Sequence, residues 1–206
     1  LLRNGTVNSQ FIGINGGTEF TKIYGSFNYF KEEGIIPTSS YTRKNLRLNV
    51  DQKVNEKVSV RFDLNLLNDD TERAANVNVI TISPLGNAYD DNGDIVRFPS
   101  GEEGTATSPL WNLREADDDE KGNDFVVNVI PSWQITPELR YQLTTSFTRR
   151  NTERGSYLSS LHSSGESDRG IARLQNELRE AYFVENILTY DKEINENNNF
   201  NLTLVQ

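Results

Sequence analysis

Apolar and polar residues in this chain alternate with a period of two, not 3.6. The clearest run is Tyr41 to Val54. Its odd positions read Tyr41, Arg43, Asn45, Arg47, Asn49, Asp51 and Lys53; its even positions from Leu46 on read Leu46, Leu48, Val50, Gln52 and Val54. From Lys57 to Leu66, Val58, Val60, Phe62, Leu64 and Leu66 alternate with Ser59, Arg61, Asp63 and Asn65. A helix cannot sort residues this completely. A strand does so because successive side chains point to opposite faces. Six more strands are expected at Val7 to Asn15, Phe20 to Phe30, Asp124 to Ile135, Leu139 to Arg150, Ala181 to Tyr190 and Phe200 to Gln206. The faces of Ala181 to Tyr190 are ambiguous. Pro131 has no amide hydrogen, so a bulge or strand end is expected near it. Tyr41–Val54 and Lys57–Leu66 should pair antiparallel around Asn55-Glu56.

The connections alternate in length. Gly16 to Glu19, Asn55-Glu56, Thr136 to Glu138 and Asp191 to Asn198 are short; Lys31 to Ser40 is medium; 67–123 and 151–180 are long. Structureless loops of ~30 to ~55 residues usually carry function. The pattern describes an all-β, up-and-down antiparallel sheet with turns on one side and loops on the other. Strands of ~10 residues with one apolar face and this asymmetry are the pattern of an outer-membrane β-barrel. A soluble or cell-surface β-sandwich that holds carbohydrate through its loops also alternates and remains an alternative. On the barrel reading, Leu46, Leu48, Val50, Val58, Val60, Phe62 and Leu64 face lipid. Arg43, Asn45, Arg47, Asn49, Asp51, Arg61 and Asp63 then face the lumen, as a mutually paired network or as substrate contacts. Trp133 and Tyr141, beside a turn, suit an interfacial aromatic girdle.

Composition narrows the chemistry. The 206 residues carry 21 Lys and Arg against 30 Asp and Glu, a net charge of −9. With no clustered basic stripe, nucleic-acid binding is not expected. There is no Cys and one His, so Cys-ligated metals, thiol nucleophiles, disulfides and multi-His sites are excluded. The 24 Asn and 14 Gly supply turns, while eight Tyr and ten Phe supply strands. No apolar run reaches the roughly 18 residues of a membrane helix.

Other motifs are weak. Asp90-Asp91-Asn92-Gly93-Asp94 is dense in hard oxygen ligands, but it lacks EF-hand spacing and a bidentate Glu, so it reads as an Asx- and Gly-rich turn. Asp117, Asp118, Asp119 and Glu120 read as a solvated loop run, with a metal or partner role as the alternative. Trp111, in the long loop, either stacks on a ligand or partner or anchors the loop. His162, among Ser and Gly, reads as inert. No hydrolase triad or selected carboxylate pair stands out. No enzyme activity and no cofactor or metal are expected.

The stretch from Gly16 to Leu66 resembles a known family. Gly16-Gly17 is followed by Tyr24, Ser26 and Tyr29, then by Gly34-Ile35-Ile36. After these comes Tyr41-x-Arg43-x-Asn45-Leu46-Arg47-x-Asn49-Val50-Asp51-x-Lys53-Val54. This is similar to the barrel of SusC/RagA-type TonB-dependent transporters of Bacteroidetes outer membranes. Asn87 to Asp94, Ser108-Pro109-Leu110 and Asn186 to Tyr190 are compatible with later parts of that barrel. The resemblance implies about eight strands of a roughly 22-stranded barrel, in the outer membrane of a Gram-negative bacterium. It further implies a plug, TonB engaged through an N-terminal part, a SusD-type surface lipoprotein over the mouth, and uptake of oligosaccharides or peptides. The sequence has no plug motif and no TonB box, starts without Met and ends Leu204-Val205-Gln206 without an aromatic. Residues 1–206 are therefore expected to be an internal barrel piece, and a small closed eight-stranded barrel is the lesser alternative.

Overall fold

A computed structural model describes residues 2–74, 82–83, 85–101, 106–196 and 198–206. Eight strands form where the alternation places them: β1 Thr6–Gly17, β2 Thr21–Glu33, β3 Ser40–Lys53, β4 Val58–Glu72, β5 Ala116–Gln134, β6 Leu139–Leu158, β7 Ile171–Asn195 and β8 Asn198–Val205. They make one sheet in the order β1-β2-β3-β4-β5-β6-β7-β8, with every neighbouring pair antiparallel. The expected β3–β4 pairing is present, with Val50 opposite Phe62 and Leu48 opposite Leu64. β1 and β8 lie at opposite edges and do not pair with each other. The sheet is open, which overturns the small closed barrel.

The four short turns are built by side-chain oxygens that replace missing ladder bonds. The Thr21 amide donates to Thr18 Oγ1 at 3.1 Å, and the Lys57 and Val58 amides donate to Asn55 Oδ1 at 2.8 and 2.9 Å. Leu139 N–H donates to Thr136 Oγ1 at 3.1 Å, and Asn198 Nδ2 donates to Asn195 Oδ1 at 2.9 Å. Gly17 is required at the first turn, because a Cβ there would run into the Thr21 carbonyl. All four turns lie at one end of the sheet, and the connections 34–39, 73–115 and 159–170 lie at the other.

Register carries the apolar positions across the sheet as rows. One row runs Ile12, Phe27, Leu46, Leu66, Phe125. The next runs Ile14, Gly25, Leu48, Leu64, Val127, Phe147, Tyr182, and the third Gly16, Ile23, Val50, Phe62, Val129, Thr145, Val184. Nearer the turns come Val58, Trp133, Tyr141 and Leu188. The same pairing resolves the ambiguous strand: Tyr182, Val184 and Leu188 share the apolar face. Val58 to Leu66 covers ~27 Å along the strand, or about 20 Å along the axis of a barrel tilted as such barrels are. Aromatic contacts knit the rows: Phe125 to Phe147 at 5.9 Å and Phe147 to Tyr182 at 4.9 Å between centroids.

Nothing covers this face. Among the described residues the buried apolar ones, Pro109 and Leu113, both lie in the short helix Pro109–Arg114, and there is no second sheet. Leu46 is 44 % exposed and Trp133 50 %; Leu48, Val50, Val58, Val60, Phe62 and Leu64 are half-buried, screened only by their neighbours along and across strands. A sandwich would seal these side chains between two layers, so that alternative is overturned. No helix among the described residues is long and apolar enough to cross a membrane; a barrel crosses with strands.

Three boundaries differ from expectation. The loop expected over 67–123 is the connection 73–115, because β4 runs to Glu72 and β5 starts at Ala116. The loop expected over 151–180 is 159–170, and the connection expected over 191–198 shrinks to a tight turn after Asn195. The cause is physical. Beyond the apolar rows a strand needs no apolar face, so its alternation fades while its ladder continues. Pro131 also differs: β5 passes through it to Gln134 without a register shift. Only the β5–β6 ladder is interrupted, between the pairs Val129–Thr145 and Ser132–Gln142.

Placing Arg at Phe62 should test the face assignment. In bilayers, a barrel containing this segment should lose about 2–4 kcal/mol of folding free energy if Phe62 lies near mid-membrane. Arg at Asn65, on the opposite face, should cost far less. Equal costs would contradict the assignment.

Candidate functional site

The face opposite the apolar rows is polar from the turn end to the loop end. The seven residues singled out on β3 and β4 all lie on it, largely in mutual pairs. Arg61 Nε donates to Asp51 Oδ1 at 2.7 Å, Asn49 Nδ2 to Asp63 Oδ1 at 2.5 Å, and Asn45 Nδ2 to Asn65 Oδ1 at 2.8 Å. Arg43 sits opposite Asp69 and Phe30, its guanidinium 5.8 Å from the Phe30 ring centre. Arg47 sits opposite Ser26 and Asn65. The Arg61 and Asp51 side chains are 58 % and 50 % exposed. Pairs this open contribute about 0–1 kcal/mol each, so they organise a hydrated wall more than they stabilise it.

Toward the loops the polar face continues onto β5, β6 and β7. Arg150 reaches Asp124 at 3.3 Å. Arg154 reaches Asp118 at 3.1 Å, and Arg73, just past β4, reaches Glu120 at 2.7 Å and Asp118 at 3.4 Å. Gly122, opposite Asp69, lets that carboxylate lie against bare backbone, where a Cβ would collide with it. A cleft of about 370 Å³ lies between Glu120, Arg150, Arg154, Glu177 and Arg179. None of these arginines was singled out from sequence. Parity could have found them: Arg150, Thr152 and Arg154 share one face, as do Asp118 and Glu120.

The acidic run is therefore strand, not loop. Asp117, Asp118, Asp119 and Glu120 all belong to β5. Strand alternation divides them, with Asp118 and Glu120 on the polar face and Asp117 and Asp119 on the other. Asp119 meets Lys121 at 3.6 Å. No single acidic surface forms.

Beyond the strands, two connections close on each other. A six-residue helix, α1 (Pro109–Arg114), begins after Ser108 with Pro at its start, a helix-start signal the alternation analysis passed over. Trp111, on this helix, donates from Nε1 to the Leu161 carbonyl at 3.1 Å, and Arg114 covers its ring at 3.9 Å. It therefore anchors loop to loop. Asn112 and Ser163 bond reciprocally at 2.9 and 3.1 Å, and Arg97 pairs with Glu166 at 2.9 Å. The Ser159 hydroxyl donates to Glu115 at 2.7 Å and holds its carboxyl below the ordinary value. Asp90 Oδ1 accepts from Asn92 and Asp94 N–H at 2.9 and 2.8 Å, closing a turn with Gly93 at φ +86°. That is the expected Asx turn, and its oxygen is taken up by backbone amides. No cluster able to hold a metal occurs among the described residues.

His162 is not an idle loop side chain. It is 8 % exposed, and its Nδ1 accepts from the Ser164 amide at 3.0 Å. Burial lowers its pKa, against a smaller opposing pull from Glu115. A cavity of about 620 Å³ lies beside it, between the loop segment Ala106–Asn112 and the strand ends at Ala116, Ser156, Leu158 and Arg173.

A sheet with one apolar face, one polar face, and turns and loops at opposite ends has the architecture of a β-barrel wall. Known proteins agree. The chain is 24 % identical over 212 residues to TonB-dependent receptor P3 of Formosa agariphila, covering 94 % of this chain and 20 % of that protein. It is 25 % identical over 198 residues to TonB-dependent receptor P26 of the same organism, covering 90 % and 19 %. The chain thus spans about a fifth of the length of the curated relatives it matches. In fold it matches the RagAB peptide importer in its closed-closed state, with TM-score 0.78, 18 % identity, and coverage of 96 % of this chain and 23 % of that one. For the open-open state the TM-score is 0.77, with coverage of 95 % and 23 %. No family model matches the chain. In sequence and in fold, the chain resembles a barrel segment of a SusC/RagA-type TonB-dependent transporter. The proteins it matches are receptors and an importer, not enzymes.

The docked loops should respond to pH through His162. A histidine whose folded pKa is depressed stabilises fully above its unfolded value of about 6.5. That contribution is lost as pH falls through the folded pKa, because the new Nδ1 proton opposes the Ser164 N–H. Glu115, also depressed, acts in the lower carboxylate range. Amides of 159–170 should therefore exchange hydrogen faster at pH 5.5 than at 7.5, after correction for intrinsic rates. His162→Gln should flatten that dependence, and an unchanged profile in the variant would exclude His162 as its source.

Proposed function

We propose that this chain forms part of the wall of a TonB-dependent importer in the outer membrane of a Gram-negative bacterium. The apolar rows meet lipid and the polar face meets the lumen. The seven polar residues of β3 and β4 then line a hydrated passage or seat a plug, and the loops form the outer lip. The cargo is oligosaccharide or peptide. A SusD-type lipoprotein covers the lip, and TonB acts through a plug encoded elsewhere in the protein. The observation that supports this most is the continuity of the apolar rows across β1 to β7, with one-sided turns and loops. A face that stays apolar in register across so many strands matches a single apolar surrounding along its whole width. The chain-long similarity to TonB-dependent receptors points the same way.

The lip should be separable from the wall. Removing 87–101, which carries the Asp90 turn, leaves β4, α1 and β5 intact. The shortened protein should assemble with normal heat-modifiable mobility but lose most uptake of its cargo or most lipoprotein association. Normal assembly with normal capping and import would reduce this loop to a connector.

A further inference from the structure

We propose that the rim of the apolar face nearest the loops binds the headgroup of a phosphorylated, multiply acylated glycolipid of the outer leaflet. This rests on the wall reading, with the loops outward.

A groove of about 380 Å³ lies on the lipid-side face at that rim. Its floor is one register row across four strands: Phe27, Leu46, Leu66 and Phe125. Phe27, Leu46 and Phe125 are 42 %, 44 % and 37 % exposed, wide open for side chains so apolar. Two cations frame the floor. Lys44 stands one row nearer the loops on β3, and Arg149 lies beside Phe125 on β6. Lys44 forms no ion pair among the described residues. Arg149 has only a long 3.6 Å contact to Glu180, with its side chain 55 % exposed. Between them, Asn68 Nδ2 donates to Asn123 Oδ1 at 3.0 Å, and both side chains stay open to the surface. The row Gln10, Tyr29, Lys44, Asn68, Asn123, Asn151 contains no acid; of the acids nearby, Asp124, which also lines the groove, is taken up by Arg150, and Glu180 lies across from Arg149.

Charge and shape together select the occupant. An apolar floor ending in one cation without an ion pair and one held only loosely suits an amphiphile whose acyl chains lie below an anionic head. The cations stand three strands apart, roughly 14 Å at the usual strand spacing, with amides between them that can bond sugar hydroxyls. A broad sugar head bearing phosphate, with several chains side by side over a four-strand floor, fits this better than a narrow diacyl lipid. The turn-end rim differs: there the same face presents Trp133, Tyr141 and Tyr190, with Lys192 as its cation.

The test uses the full-length importer purified into detergent, with lipid A, its dephosphorylated form, and phosphatidylglycerol as probes. Native mass spectrometry reads the lipid retained. Phosphorylated lipid A should be retained preferentially. The double variant Lys44→Gln/Arg149→Gln should lose roughly thirtyfold of that retention, the scale expected for two interfacial cations. Lys192→Gln should retain it. Equal retention of all three probes, or a double variant that binds like wild type, overturns the lipid site. Orientation is read separately by labelling an Asn92→Cys variant on intact cells with an impermeant reagent. Labelling with equal retention overturns the lipid site alone. Absence of labelling in an assembled protein overturns the outward-loop reading and the lipid site with it.

Discussion

Hydrocarbon offers a backbone no hydrogen-bond partner, and the rest of the structure follows from that. Every amide inside the apolar zone must be paired within the sheet. The ladder must therefore run without a break through the zone, and the strands must be long, antiparallel and adjacent in sequence. β1 to β8 meet this by pairing each strand with its neighbours in sequence, even across the long connection between β4 and β5. Pro131 shows how little interruption is tolerated: its missing donor costs ladder bonds on one side of β5, and the pairs on either side stay in register. The side chains then sort by solvent. One face needs no charge, and the other can carry Arg61, Asp51 and Asp63 in water.

That sorting is why so much of the fold could be read from sequence. Where β3 and β4 cross the apolar zone, parity alone gave their pairing, their turn and their faces, because two solvents press on alternate residues. Where one solvent surrounds both faces, the signal disappears. Asp117 to Glu120 looked like a loop because four acids in succession carry no parity, yet the ladder runs straight through them. The ends of β6 and β7 were lost for the same reason. α1 was missed because six residues are too few for a helical period, although Ser108-Pro109 marks its start. The site divides in the same way. The β3–β4 pairs were legible; the arginine pairs of β5 and β6 were not, and neither was the burial of His162, which depends on two loops meeting.

The extension of the strands past the apolar zone shapes the lip. β6 continues from Arg149 to Leu158, roughly 30 Å of further strand at the usual rise. The loops 73–115 and 159–170 thus begin high above the rim, on strands already ordered by pairing. The Arg73, Arg154, Asp118 and Glu120 contacts tie the exit of β4 to β5 and β6 at this level. Each such pair is worth little alone. Their joint effect is geometric: they fix where α1 can lie, and so where Trp111 meets Leu161.

The two halves of the molecule are consequently held by different forces. The sheet is held by backbone pairing throughout and by apolar rows along one face, and it can accept open, weak ion pairs on the polar side. Among the described residues the loops bury only Pro109 and Leu113 as apolar side chains and rely on specific polar contacts, among them Asn112–Ser163, Arg97–Glu166 and Ser159–Glu115. Contacts of this kind can break and reform singly, while ladder bonds inside hydrocarbon cannot break without exposing an amide to lipid. Rearranging these polar contacts would leave the register of the sheet untouched, because no ladder pair depends on them.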